Sequence, residues 1–334
     1  MLFHLSVKIA IRYKVCALET FTWEHWTSSR RVYKLVYTYQ GKMEVEPHST
    51  LKNRTLGLYY KICIQVIKKK KKFYYVDLFT GDGESLCKAT DGITYPSPFI
   101  TQFLRSASKG EIDVQCYLND IDQETVKKLR NNVKEYDKFI KKISQKDANE
   151  VHKEILNDIP KDEWSIFFLD PFKHTQLDFI TIKQISEHCA HDEKNNCTRR
   201  PELIINLMTY TMQRNAKINK DDVAKAIGEG DWMNLIDNKA ANEKTYEILH
   251  DSFIKNLEKL GYFTTSIQIR QTPPLNSVLY YLVFASSIPL AHDIQERFKK
   301  DILKYQKSWS RENYRMRLVT DLKKKGYKQL SEFS

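Results

Sequence analysis

The chain has 334 residues, 41% of them hydrophobic and 29% charged, with 54 Lys+Arg against 42 Asp+Glu for a formal net charge of +12. That apolar content supports a real core and excludes a disordered chain, while 10 Gly and 9 Pro exclude collagen-like or low-complexity sequence. No stretch approaches the ~20 apolar residues needed to span a bilayer, the opening Met1–Ala17 is broken by Lys8, Arg12 and Lys14 and lacks a secretory core, and six irregularly spaced cysteines fit a reducing cytoplasm better than a disulfide framework.

Residues 1–72 form a basic, mainly helical N-terminal extension with 15 Lys/Arg and 4 Asp/Glu. Within it, Trp23, Trp26, Val32, Leu35 and Val36 follow near-helical spacing over 18–40. The apolar run at 55–67 reads as a buried helix or a strand. The lysines of 68–72 then precede a change of character. Phe73–Phe79 is a buried strand stopped by Gly81 and Gly83. Further strands follow at Val114–Leu118, Phe139–Ser144, Ser165–Leu169 and Leu203–Leu207. Helices are expected over 123–136, 176–188 and 239–260, with a helical insertion at about 211–250. Two late strands, Thr264–Arg270 and Val278–Ala285, are separated only by a Pro-rich link, which makes the final strand antiparallel in an otherwise mostly parallel α/β sheet. The sheet domain spans 73–290 and carries a slight negative net charge. Residues 291–334 form a second basic helical extension, with Trp309, Tyr314 and Met316 as packing anchors. Basic flanks of this kind bind polyanions by releasing counterions, or serve only as solvated surface.

An open α/β sheet binds ligands beyond the carboxyl ends of its strands, and four strands here end in informative turns. Asp77-Leu78-Phe79-Thr80-Gly81-Asp82-Gly83 runs a buried strand into two glycines, which lets backbone approach a ligand closely; the bland alternative is an ordinary strand-to-helix turn. It carries no Gly-Lys-Ser/Thr phosphate loop. Asp120 is placed to accept from the two hydroxyls of a ribose, and Asp122 to do the same or to cap a helix. Asp147 and Asn149 offer acceptors to the exocyclic amine of an adenine, or form a plain turn. Asp170-Pro171-Phe172 sets a carboxylate, a stiffening proline and an aromatic at one strand end, suited to holding and stacking a flat amine, or to making a rigid turn.

Together these residues resemble a class I S-adenosylmethionine-dependent methyltransferase with a Rossmann-like sheet. The Asp-x-Phe-x-Gly-x-Gly form at 77–83 is similar to the first motif of nucleic-acid methyltransferases, and Asp170-Pro171-Phe172 to the Asp-Pro-Pro-Tyr motif of amino-methyltransferases, with one proline missing and Phe in place of Tyr. The order Trp23-Glu24-His25-Trp26-Thr27, Asp77–Gly83, Ser97-Pro98-Phe99, Phe168–Phe172 and Tyr280–Ser286 resembles the three-Cys-motif partner family more closely, over residues 20–300. The resemblance implies S-adenosylmethionine as cofactor, held by Asp77, Phe79, Gly81, Gly83, Asp120, Asp122, Asp147 and Asn149. It implies Asp170, Pro171 and Phe172 at the reacting centre, nucleic acid as substrate, and a three-cysteine protein as partner. The alternative it leaves is a degenerate nucleotide-binding scaffold for that partner.

Asp77 and Asp120 lie 43 positions apart where a compact nucleotide unit uses about 20. Residues 88–99, with Tyr95 and Ser97, fill the interval as a lid over the cofactor or a plain loop. His188, Cys189, His191 and Cys197 have the residue types of a zinc site but not its spacing, and no metal is expected. Asp82 and Glu84 could serve a metal-assisted nuclease, a weaker reading because it leaves the nucleotide pocket unexplained. His174 suits a general base or an exposed histidine. Gln213, Arg214 and Asn215 follow a strand and are placed to touch substrate.

Overall fold

The computed structural model describes residues 72–87, 94–96, 98–271 and 277–289, together with Glu44 and Val45, helical residues between 52 and 64, and residues 296, 299 and 300. The expected helix at 18–40, the lysines at 68–71, Ser97, residues 88–93 of the expected lid, and the C-terminal helix with Trp309, Tyr314 and Met316 lie outside the described residues.

Seven strands form the main sheet: β1 (Phe73–Asp77), β2 (Val114–Asn119), β3 (Ile140–Ser144), β4 (Trp164–Leu169), β5 (Glu202–Leu207), β6 (Phe263–Arg270) and β7 (Val278–Ser286). Their spatial order is β3-β2-β1-β4-β5-β7-β6. The first five are parallel. The final strand, β7, is antiparallel to both neighbours and is inserted between β5 and β6. This is a Rossmann-like, class I methyltransferase sheet, the doubly wound order 3-2-1-4-5 extended by an antiparallel pair.

The strands alternate their side chains between two cores. From β1, Tyr74 and Val76 enter one, which is closed by helices α3 (Ala148–Asp158), α4 (Phe179–Glu187), α5 (Thr209–Asn215), α6 (Lys220–Ile227), α7 (Trp232–Asp237) and α8 (Thr245–Lys259). Phe73 and Tyr75 enter the other, closed by α1 (Pro98–Ser108), α2 (Gln123–Asn132) and the helical residues of 52–64 through Leu56, Tyr59, Tyr60 and Ile64. Burial on both faces explains why β1, β4 and β5 are nearly continuous apolar runs. Phe103 of α1 is fully buried at the centre of the second core. Its ring lies 5.0 Å from Tyr75, 5.3 Å from Phe73 and edge-on to Tyr60 at 5.0 Å. Tyr60 in turn is hydrogen-bonded to Ser106, which donates to Glu111.

The described helical residues of 52–64 settle the helix-or-strand alternative for that segment as helix. Between β1 and β2, Glu84–Cys87 and Thr94–Pro96 pair antiparallel, with Glu44–Val45 parallel to the first of them. So part of the expected lid or loop is a small sheet, and α1 supplies the crossover. The Asp192–Asn196 segment is the exposed tip of a short hairpin, Ala190–His191 with Cys197–Arg199.

Candidate active site at the strand ends

The site is assembled where β1 meets β4, the switch point from which connections leave in opposite directions. The turn after β1 is pinned from below. Asp77 is buried; its Oδ1 accepts from the Phe79 amide at 3.1 Å and its Oδ2 from the Tyr75 hydroxyl at 3.1 Å. Burial, reinforced by the neighbouring Asp170 and Asp120 charges and opposed by the two hydrogen bonds, pushes this carboxyl up to about 7. Asp77 therefore braces the turn from inside. Phe79 is half-buried against the first core.

Gly81 and Gly83 have φ of 65° and 79°, the left-handed region that glycine enters without a Cβ penalty. A Cβ at Gly83 would also stand 3.3 Å from Leu129 Cδ1 of α2. The Gly81 amide donates to Asp120 Oδ2 at 3.0 Å, and the Asp122 amide to Asp120 Oδ1 at 3.0 Å. Each carboxylate oxygen has two acceptor sites, so Asp120, half-buried at the end of β2, keeps one on each oxygen for a ligand diol. Asp122 is exposed and caps α2, accepting from the Thr125 amide at 3.0 Å and its hydroxyl at 2.7 Å, bonds that hold its carboxyl below the usual range.

A residue that motif reading passed over ties these turns together. Asn119, fully buried, donates its amide to the carbonyls of Leu78 and Lys146 at 3.0 Å each and accepts from the Lys146 amide at 3.2 Å. Its backbone pairs with Thr80 in both directions. One side chain thus joins the ends of β1, β2 and β3. Its signal was its place as the last residue of a buried strand, directly before Asp120.

At the end of β3, Asp147 is exposed and caps α3, accepting from the Asn149 amide at 2.7 Å. The Asn149 side chain is committed within the protein: Oδ1 accepts from the Asp178 amide and the Thr181 hydroxyl at 2.9 and 2.8 Å, and Nδ2 donates to the Gln176 carbonyl at 3.3 Å. It fastens the start of α4 to that of α3, and Asp147 is left as the exposed polar group of this corner.

At the end of β4, Asp170 accepts from Asn206 Nδ2 of β5 at 2.7 Å through Oδ1, and from the Lys52 ammonium at 2.5 Å through Oδ2. Both charged side chains are largely sheltered, 15% and 18% exposed for Lys52 and Asp170. Pro171 is buried behind the carboxylate, whereas Phe172 stands 79% exposed, its ring free to stack. Asn206 carried a signal, an amide inside the apolar run Ile204-Ile205-Asn206-Leu207. Lys52 carried none, since it arrives from 118 residues away.

His174 is buried, contrary to the exposed alternative, and burial lowers its affinity for a proton. Thr211 Oγ1 donates to the Met208 carbonyl at 2.9 Å, so the 3.1 Å contact with His174 Nδ1 requires that nitrogen to be the donor. Nε2 is then a bare acceptor. Among the described residues it has no partner, and neither has Asn206 Oδ1; both residues line one cavity of about 10 Å³ behind Pro171. Arg214 lies over the Tyr210 ring, and Asn215 donates to the Thr211 carbonyl. Cys189 Sγ lies 3.4 Å from His191 Nε2, but among the described residues no three His, Cys, Asp or Glu side chains converge as a metal set.

No protein-family model matches the chain, and no curated protein matches it in sequence. Solved structures with a similar fold include the methyltransferase domain of bacterial CtHen1 (16% identity, TM-score 0.38, covering 70% of this chain and 99% of that one). An rRNA methylase from Streptococcus thermophilus has 11% identity and a TM-score of 0.31, covering 67% and 94%. SMU.1697c from Streptococcus mutans, solved in complex with SAH, has 12% identity and a TM-score of 0.32, covering 68% and 97%. These likenesses concern the fold alone, which the strand order establishes independently. Among the described residues no helix is long and apolar enough to cross a membrane.

Proposed function

We propose that the chain is an S-adenosylmethionine-dependent methyltransferase whose acceptor is a planar amine of a nucleic-acid base. The observation that carries this is Asp120, held by two backbone amides beside the Gly81–Gly83 turn with acceptor sites left over. That pair of acceptors fits the two donating hydroxyls of an adenosyl ribose. Asp147 is the exposed acceptor at the adenine end, and Asp77 acts indirectly by holding the turn. When bound, the cofactor supplies a methyl group already activated on a sulfonium. The chain's remaining task is orientation. Asp170 and its proline-stiffened turn hold the acceptor nitrogen, and Phe172 stacks the base that carries it. The basic flanks supply phosphate contacts, and the compartment is the cytoplasm. The three-domain division at residues 72 and 290, supported by the charge distribution, and the three-cysteine partner, supported by motif order alone, belong to the same reading.

Isothermal titration with S-adenosylmethionine tests the proposal. Binding that Asp120→Ala weakens supports it, and no binding at millimolar cofactor overturns it. A second reading, a non-catalytic nucleotide-binding partner, is favoured by one observation: each Asp170 oxygen already accepts from a protein group, one of them the Lys52 ammonium. Cofactor binding without transfer to any single-stranded DNA or RNA would select it.

A further inference from the structure

The carboxylate meant for an acceptor amine already holds an amine. Lys52 Nζ lies 2.5 Å from Asp170 Oδ2, at the carboxyl end of β4 and beside the β1 turn. It is not a surface lysine that happened upon an acid. Its helical segment is anchored in the second core by buried Thr55, Leu56, Tyr59 and Tyr60, so the side chain is delivered to this spot by packing. Asn206 fixes the opposite carboxylate oxygen. Asp170 keeps one acceptor site on each oxygen, but an amine that approaches Oδ2 meets the Lys52 ammonium already there.

We propose that Lys52 is itself a methyl acceptor, modified in cis by its own chain. The inference rests on the methyltransferase reading given above. One proton leaves the Lys52 ammonium for solvent, to which the pair is partly open, while Asp170 holds the nitrogen in place. The freed nitrogen lone pair forms a bond to the methyl carbon of a sulfonium methyl donor. The carbon–sulfur bond breaks and its electron pair stays on sulfur, leaving a neutral thioether. Lys52 becomes a methylammonium and keeps its positive charge. Methylation removes donors and adds bulk while leaving the charge in place. It therefore weakens the grip on Asp170 and opens that oxygen to an external amine. The free chain holds its acceptor position closed, and self-modification opens it.

The test has two arms, both on the full chain. Without cofactor, acylation of Lys52 by an amine-reactive ester is followed by peptide mapping. Sheltering by Asp170 should make Lys52 slower than exposed lysines such as Lys183 by about fivefold, and Asp170→Asn should remove most of that protection. With S-adenosylmethionine, whose binding is first verified by titration, the Lys52 peptide should gain one methyl increment. The rate should be independent of protein concentration. Lys52→Arg should show no gain elsewhere, and Asp170→Asn should lose the modification. Verified cofactor binding with an unmodified Lys52 peptide overturns the inference and leaves the methyltransferase reading standing. Modification spread over surface lysines in proportion to concentration also overturns it. Absence of cofactor binding overturns both.

Discussion

Glu202 opens β5 almost fully buried, and its Oε1 accepts from the Ser286 hydroxyl at 2.7 Å across the β5–β7 pair. Among the described residues its Oε2 has no hydrogen-bond partner. Desolvation dominates, the serine bond opposing it only in part, and the carboxyl is pushed from 4.5 up to about 7. The folded chain therefore keeps this proton over a range where the unfolded chain has lost it. The native state binds more protons there, so stability is full below about pH 4.5, falls as pH rises and levels off above about 7. At about 1.4 kcal/mol per tenfold change, that interval is worth about 3 kcal/mol. Glu202→Gln keeps the shape and the acceptor for Ser286 but cannot titrate. Urea unfolding of both proteins between about pH 5 and about pH 8 isolates the contribution, because Asp77 titrates alike in each. Relative to the variant, the natural chain should lose about 2–3 kcal/mol across that range. A constant difference would mean that Glu202 ionises in place or meets water, and the burial argument would fail.

Other expectations follow from packing and from the turns. Phe103→Ala should cost ~3–5 kcal/mol in denaturant unfolding, since three aromatic neighbours surround a fully buried ring. Asn119→Ala leaves the Leu78 and Lys146 carbonyls without their donor; about 2–4 kcal/mol of stability should go, with cofactor affinity by titration falling alongside it. Asp120→Ala should weaken S-adenosylmethionine binding at least about tenfold with little change in melting temperature, because its partners are two backbone amides near solvent. A high-resolution crystal structure should show one ordered water in the cavity behind Pro171, donating one hydrogen to His174 Nε2 and the other to Asn206 Oδ1.

The strands were legible because burial on both faces forces apolar runs such as Ser165–Leu169, and their ends because Asp and Gly punctuate them. The helix expected over 123–136 ends instead at Asn132 and continues as a 3₁₀ turn, Lys134–Phe139. Helix α3 hid behind Asp147-Ala148-Asn149, where a cap has the same composition as a turn. Candidate site residues placed by strand position could be seen in one dimension: Asp120, Asp170, Gly81. Those that act by reaching across the fold could not. Lys52 has nothing in its neighbourhood of the sequence that concerns Asp170, and Asn149 looks like a ligand group until Asp178 and Thr181 are brought to it.

The position of β7 bears on how the chain is made. The last strand of the sheet to be synthesised is not its border but an interior member, hydrogen-bonded on both sides. Until residues 278–286 have left the ribosome, β5 presents a bare, apolar flank and β6 has nothing to pair with. The sheet cannot assemble progressively from one end; it waits for a closing wedge. During that interval the exposed flank of β5 is a template for pairing with another nascent chain. A stop anywhere before Val278 should therefore yield an aggregating fragment and not a shorter folded chain.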